Sequence, residues 1–219
     1  WLVTIAANDT LGCGGGRTYA LAVAQGAQTI EFTTTAPAGA AIGGAAYEVA
    51  ASATSGLPVT FAVAAASSGV CSLAGTSVSF QAPGTCTINA NQAGDANWTA
   101  APQAQQSFAV GQGAQTIAFT STAPVDATVN GATYAVSATA TSGLPVTLAI
   151  DAASSSVCAL AGGTVSFTGA GTCTINANQA GNANWAAAPQ AQQSFAVSRA
   201  SQTITYTSTA PAAATVGGP

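Results

Sequence analysis

GTCTINANQAG, residues 84–94, returns without a change at residues 171–181, 87 positions further on. An identical run at a fixed spacing marks a tandem-repeat protein, in which each unit is built like its neighbour. Within the run, Cys86, Ile88 and Ala90 alternate with Thr87, Asn89 and Asn91. Alternation with a period of two is the pattern of a half-buried strand, and the Ala-Gly that ends the run is a turn signal.

The same reading extends outward. Ile30 and Phe32 share one face of a strand, and Tyr47, Val49, Ala51 and Ala53 share one face of the next. Ser55-Gly56-Leu57-Pro58 is a turn, followed by Val59, Phe61 and Val63. A short strand holds Cys71 and Leu73, Ala74-Gly75 turns the chain, and Val78 with Phe80 forms another. After the opening run, Phe108 and Val110 complete the set. No segment carries the helical period of 3.6. Seven short strands in one repeat, separated by turn residues, predict an all-β fold of tandem immunoglobulin-like β-sandwiches.

Residues 27–113 and 114–200 align without a gap, and about 70% of positions are identical, so each is read as one whole Ig-like repeat. Residues 201–219, SQTITYTSTAPAAATVGGP, match the opening of both and are read as the first strand of a further repeat. In residues 1–26, VTIAAND matches CTINANQ and TYALAVAQG matches SFAVGQG once four residues are dropped between them. They are read as the C-terminal strands of a preceding, diverged Ig-like domain, with Val3 where Cys86 would stand. The chain is therefore expected to be an excerpt of a longer parent. Few residues separate Val110 from Ile117, so the junction is no flexible Gly/Ser linker. Modules so joined would form a semi-rigid row in which each touches only its neighbours.

Composition narrows the function. Only 4% of the 219 residues are charged and the net charge is −4, against about 25% charged residues in an average soluble domain. The cations are Arg17 and Arg199 alone, so no basic footprint exists for nucleic acid. Apolar runs fall far short of the roughly 20 residues of a spanning helix, which argues against membrane insertion. With no His and no Lys, acid–base and Schiff-base chemistry have little to work with, and Lys–Asn crosslinks are excluded. Glu31, Glu48 and Asp95 become Ala118, Ala135 and Asn182 in the second copy, so a paired-carboxylate site could exist in one copy only. The chain reads as a non-enzyme that needs no cofactor and no metal.

Each repeat has few large apolar side chains, so burial alone leaves a thin margin. Cys71 and Cys86 lie 15 residues apart, as do Cys158 and Cys173. A disulfide closing such a loop contributes about 3 kcal/mol in the chain-entropy model, and it is expected as a local clamp around the strand of Val78 and Phe80. Buried free thiols are the alternative. Cys13 is left over, either unpaired or paired with a cysteine upstream of Trp1.

Residues 89–98, NANQAGDANW, form the candidate binding loop, through Asn91, Asp95, Asn97 and Trp98, with Asn182 and Trp185 as counterparts in the second copy. One reading is a calcium or glycan contact, with Asn and Asp oxygens as ligands and a Trp for a sugar to stack on. The other is a run of Asx turns with the Trp folded over the end of the sandwich. Calcium takes several carboxylates, and this loop has one that the second copy loses. Asn8-Asp9-Thr10 and Asn97-Trp98-Thr99 also match the glycosylation triplet.

AQTI-F-TTAP, SATSGLPVTF, VCSLAG, GTCTINANQAG-ANW-AAPQ and QSFAV resemble the bacterial Ig-like repeats found in tandem in large secreted surface proteins, putative adhesins and cell-surface filaments. The resemblance covers both repeats and residues 201–219. It implies an Ig-like sandwich, an extracellular setting at the bacterial cell surface and a structural or adhesive role, with no catalytic residue to carry over. Two functions follow: a stalk or filament whose task is length and stiffness, or an adhesin module whose loops bind glycan or a cell-surface receptor. The partners implied are neighbouring repeats of the same chain and, in a filament, identical chains packed side by side.

Overall fold

A computed structural model describes the backbone of residues 2–8, 14–20, 22–209 and 216, and the side chains of residues 22–209 and 216. Trp1 and Cys13 lie outside the described residues. The alternating segments are strands, and no α-helix occurs among the described residues.

The first repeat holds β3 (Ile30–Phe32), β4 (Ala40–Ala41), β5 (Tyr47–Glu48), β6 (Ala51–Ala53), β7 (Thr60–Val63), β8 (Cys71–Ala74), β9 (Ser77–Phe80), β10 (Gly84–Asn91) and β11 (Ala104–Gly111). They follow β1 (Leu2–Asn8) and β2 (Gly14–Ala20), an antiparallel hairpin running in register from Leu2 opposite Ala20 to Asn8 opposite Gly14. One layer of the sandwich has the order β4-β11-β10-β7, with β4 parallel to β11 and the rest antiparallel. The other is made of the pair β3-β6 and the trio β5-β9-β8. This is an immunoglobulin-like arrangement of two sheets over one core.

The sequence predicts one strand through Tyr47, Val49, Ala51 and Ala53, but two short strands are found. Tyr47 pairs with Val78 and Ala51 with Phe32, so the segment changes partner at residues 49–50. The break is held by specific bonds: Val49 N–H donates to Thr76 O, and Ala50 N–H donates to Thr34 Oγ1 while Ala50 O accepts from Thr33 N–H. Side chains still alternate, so Val49 keeps its place in the core at 1% exposure.

The opening run is the spine of that core. On β10, Cys86, Ile88 and Ala90 are fully buried, while Thr87 pairs outward with Ser107 and Asn89 with Gln105. Around Ile88 pack Val49, Val78, Phe108 and Val110. Phe108 meets Tyr47 and Phe80 edge-on, with ring centroids 5.6 and 6.0 Å apart, the geometry aromatic quadrupoles prefer. Tyr47 carries a polar tip into this layer. Its hydroxyl donates to Gln106 Oε1 at 2.7 Å and lies 2.6 Å from Thr34 Oγ1, while Gln106 Nε2 donates to Thr34 O. Among the described residues no buried side-chain nitrogen or oxygen lacks a partner.

The disulfides form as the spacing suggests, Cys71 with Cys86 and Cys158 with Cys173, each with Cα atoms 5.8 Å apart. Their place is more central than the expected local clamp. Cys71 opens β8 in one sheet and Cys86 sits on β10 in the other, so the bond joins the two sheets through the core. The intervening strand, β9, pairs with β8, which turns the short loop across the sandwich.

In the second repeat, β12 (Ile117–Phe119) pairs with β14 (Ala138–Ala140), and β17 (Thr164–Phe167) lies between β13 (Tyr134–Ala135) and β16 (Cys158–Ala161) and pairs with both. The opposing sheet has the order β15 (Thr147–Ile150), β18 (Gly171–Asn178), β19 (Ala191–Val197). Ile175, Val165, Cys158 and Cys173 fill the positions of Ile88, Val78, Cys71 and Cys86. The chain divides into two compact units, residues 1–114 with 182–186, and residues 115–181 with 187–219. Residues 201–209 form no strand, and Ile204 and Tyr206 are exposed.

One difference between the copies is electrostatic. A single 3₁₀ turn follows β7 and β15, at Ala65–Ser67 and Ala152–Ser154. The residue before it is Ala64 in the first repeat, which makes no side-chain cap. In the second it is Asp151, whose carboxylate accepts from Asn176 Nδ2 and from the Ala153 N–H, both at 3.0 Å. The Asn176 bond first, and the Ala153 amide second, hold this carboxyl below its ordinary value. A carboxyl depressed in the fold adds stability above its unfolded value and loses it as pH falls through the folded one. Acid unfolding should therefore weaken the second repeat progressively below about pH 4. Asp151→Ala, which restores the first repeat's residue, should remove that component and leave stability at neutral pH slightly lower. A pH series of thermal scans on both chains checks it.

Candidate functional site

The candidate binding loop follows directly from β10. Asn91, its last residue, is tied down on the strand: its Oδ1 accepts from Gln103 Nε2 at 2.8 Å and its carbonyl from Thr60 Oγ1. The chain then turns at Gly94, whose φ of +77° is a left-handed conformation that favours glycine. Asp95 builds the next turn. Its Oδ1 accepts the N–H groups of Asn97 and Trp98 at 2.8 and 2.9 Å, and its own N–H donates to Trp98 O. This is an Asx turn closed on itself.

The second copy shows that the carboxylate's charge is not what the loop uses. Asn182 Oδ1 accepts from Asn184 and Trp185 N–H, each at 2.9 Å, and Asn182 N–H donates to Trp185 O. An amide oxygen does the work of the carboxylate oxygen, so the turn rests on hydrogen bonding and not on charge. Among the described residues no three His, Cys, Asp or Glu side chains come together in a metal-sized group. Asn97 is exposed and contributes its backbone carbonyl, and Trp98 and Trp185 are half-buried.

The loop's polar groups converge on its own chain. In the first repeat the Gly26 N–H donates to Asn97 O at 2.8 Å, Thr99 N–H donates back to Gly26 O at 2.9 Å, and Gln25 Nε2 donates to Asp95 O. The Trp98 ring lies over Gly26, where a Cβ would stand 2.9 Å from Cζ3 and 3.0 Å from Cε3. The first compact unit contains the same arrangement a second time. There, Gly113 N–H donates to Asn184 O, Ala186 N–H donates to Gly113 O, and Gln112 Nε2 donates to Asn182 O. The Trp185 ring covers Gly113 and reaches Gly43, where a Cβ would lie 3.2 Å from Cη2.

Beneath the loop lies a buried amide cluster that the alternation pattern did not reveal. Gln28 is 3% exposed, and its Nε2 donates to Thr99 O at 2.7 Å and to Gln92 Oε1. Ser55 Oγ donates to Gln28 Oε1, and the Gly94 N–H donates to Gln92 Oε1. Gln115, Gln179 and Ser142 repeat the cluster. One signal for it was available, since Gln28 and Gln92 recur in both copies at positions where a strand end needs no amide. Sequence reasoning thus named Asn91, Asp95, Asn97, Trp98, Asn182 and Trp185, and the structure sets them in loops that grip a Gln-Gly pair. It missed the glutamines and glycines that complete the grip. The Cys13 reading lies outside the described residues.

Apart from the loops, each repeat has an open apolar hollow between the edge strands of its two sheets. One is lined by Phe61, Val63 and Leu73 and the other by Leu148, Ile150 and Leu160.

A scan against protein-family models gives no match, and a search of curated proteins gives none. Among solved structures, human protocadherin-24 EC1-2 is 15% identical, with 76% of this chain and 91% of that chain covered at a TM-score of 0.30. The surface layer protein SbsC is 14% identical in its domains 1–6, with 92% of this chain and 35% of that one covered and a TM-score of 0.31. For SbsC domains 4 and 5 the identity is also 14%, over 80% and 98%, at a TM-score of 0.30. Likeness at this level carries no functional information.

Proposed function

We propose that the chain is a structural, non-catalytic segment of a long extracellular Ig-like repeat protein that forms a bacterial surface stalk or filament. The observation that carries this reading is the use made of the amide-rich loop. Its side-chain oxygens and backbone carbonyls are engaged with the loop itself and with the Gln-Gly pair that precedes each repeat. A loop so occupied serves construction, and the same construction twice over serves length.

Other features agree. Inter-sheet disulfides persist in oxidising compartments, and a surface of Ser, Thr, Asn and Gln amides paired across strands is hydrated and nearly uncharged. Residues 1–26 and 201–219 fit this reading as parts of adjoining repeats: Ile204 and Tyr206 occupy the register positions of Ile30 and Phe32. The proposed partners are neighbouring repeats and identical chains.

Binding measurements test it. Titration of the chain with bacterial and host glycans, followed by tryptophan emission, should give no saturable change. Saturable binding that Trp98→Ala abolishes would replace the stalk with the adhesin reading.

A further inference from the structure

Both loops hold the same dipeptide by the same bonds, and the bonds are selective. The first residue supplies an amide: Gln25 Nε2 to Asp95 O at 2.6 Å, Gln112 Nε2 to Asn182 O at 2.8 Å. The second exchanges two backbone hydrogen bonds with the loop and lies directly against the indole ring. In each case the close approach excludes a side chain. At Gly26 the three atoms nearest a built Cβ all belong to the Trp98 ring, the first at 2.9 Å. At Gly113 a Cβ would lie 2.6 Å from Trp185 Cε3 and Cζ3 and 2.6 Å from Ile42 O. Contacts under 3.0 Å require something to shift, and a peptide carbonyl yields less easily than a ring.

We infer that the NANQAG-(Asp/Asn)-ANW loop is a receptor for a Gln-Gly dipeptide of its own chain, with the missing Cβ of the glycine as its specificity determinant. This goes beyond the stalk reading, because it would hold for an adhesin built of the same repeats. It also gives the sequence a code. The third dipeptide in register, 87 residues after Gln112-Gly113, is Arg199-Ala200. It carries both a cation in place of the amide and the methyl that the first two sites exclude. A loop of this build would reject it, so the junction after the second repeat is specified differently from the two before it.

The test uses the whole chain labelled with ¹⁵N and reads the exchange of the Gly26 and Gly113 amides, both donors in the receptor. Transplanting the third dipeptide with Gln112→Arg and Gly113→Ala should speed exchange at position 113 by about tenfold or more and shift Trp185 emission to the red. Gly69→Ala, at a glycine with nothing within 4 Å of its built Cβ, should change neither. A Gln112→Arg, Gly113→Ala chain with protection and emission unchanged overturns the inference.

The first site supplies a cycle that stays informative if the second variant folds poorly. Gly26→Ala should speed exchange at position 26 in the native background. It should add nothing after Trp98→Leu, which removes the ring it would strike. Equal effects of Gly26→Ala in both backgrounds would mean that the indole does not read the glycine, and the inference would fail.

Discussion

Reducing the two disulfides is expected to lower the melting temperature of the repeats by roughly 12–24 °C. Loss of a bond closing a loop of this size costs about 3 kcal/mol, and a domain of this length loses about 4–8 °C per kcal/mol. The core explains why so little else can compensate. Among the described residues nine side chains are the largest fully buried ones, and four of them are the half-cystines; the rest are Ile88, Ile175, Val49, Val78 and Val165. The bonds also join opposite sheets, so their loss frees the two layers from each other as well as opening the loop. The sulfurs are out of reach in the fold, since Cys86 and Cys173 are fully buried and Cys71 and Cys158 are 1% exposed. Reductant applied to the folded chain and removed before heating should therefore leave the melting curve unchanged, and thiol titration of the native chain should find none of the four free. Reductant after unfolding in guanidinium should give the full drop on refolding. A Cys71→Ala, Cys86→Ala chain melting within about 2 °C of the parent would show that packing, not the bond, holds the first repeat.

Much of this was legible because β structure writes itself in alternation. The buried row Cys86, Ile88, Ala90 can be read directly from residues 84–94, the cysteine pairs from their repeated spacing of 15, and the sandwich from alternation along the whole repeat. What could not be read has physical causes. The break between β5 and β6 depends on Thr34 and Thr76, which are distant in sequence and bond to the backbone at residues 49–50; alternation continues through the break and conceals it. The disulfide's path across the sandwich depends on which sheet β8 joins, and pairing partners are invisible to periodicity. At the loop, residue types pointed two ways. Amides and a Trp suit a sugar or a metal as well as they suit a turn, and only their partners decide between those uses. For the side-chain oxygens those partners are backbone N–H groups of the loop itself, and for the loop's backbone and Trp they are Gly26 and Gly113, more than 70 residues away; backbone groups leave no trace in a sequence beyond the absence of a side chain.

That absence makes the second large effect predictable. Gly56 and Gly94 have nearly the same left-handed backbone, with φ of +75° and +77°. Alanine at either position bears the left-handed penalty of about 1–2 kcal/mol. At Gly56 nothing lies within 4 Å of a built Cβ, so that penalty is the whole cost. At Gly94 a Cβ would press into the Trp98 carbonyl oxygen and stand 2.7 Å from Thr99 C and 2.8 Å from Ala100 N. All three are backbone atoms, in the strand of chain that also returns a hydrogen bond to Gly26. Making room means opening the Asx turn at Asp95 and withdrawing the carbonyls that hold Gln25 and Gly26. Gly94→Ala should therefore cost at least about 3 kcal/mol, a magnitude reserved for forced backbone rearrangement. Gly56→Ala should stay within about 1–2 kcal/mol. Urea unfolding of the two variants side by side measures the difference, and equal midpoints would mean that the turn yields freely. The final glycine of GTCTINANQAG is then required by the same logic as its cysteine. The cysteine fixes the strand to the opposite sheet, and the glycine lets the following loop close on the dipeptide that leads into the repeat.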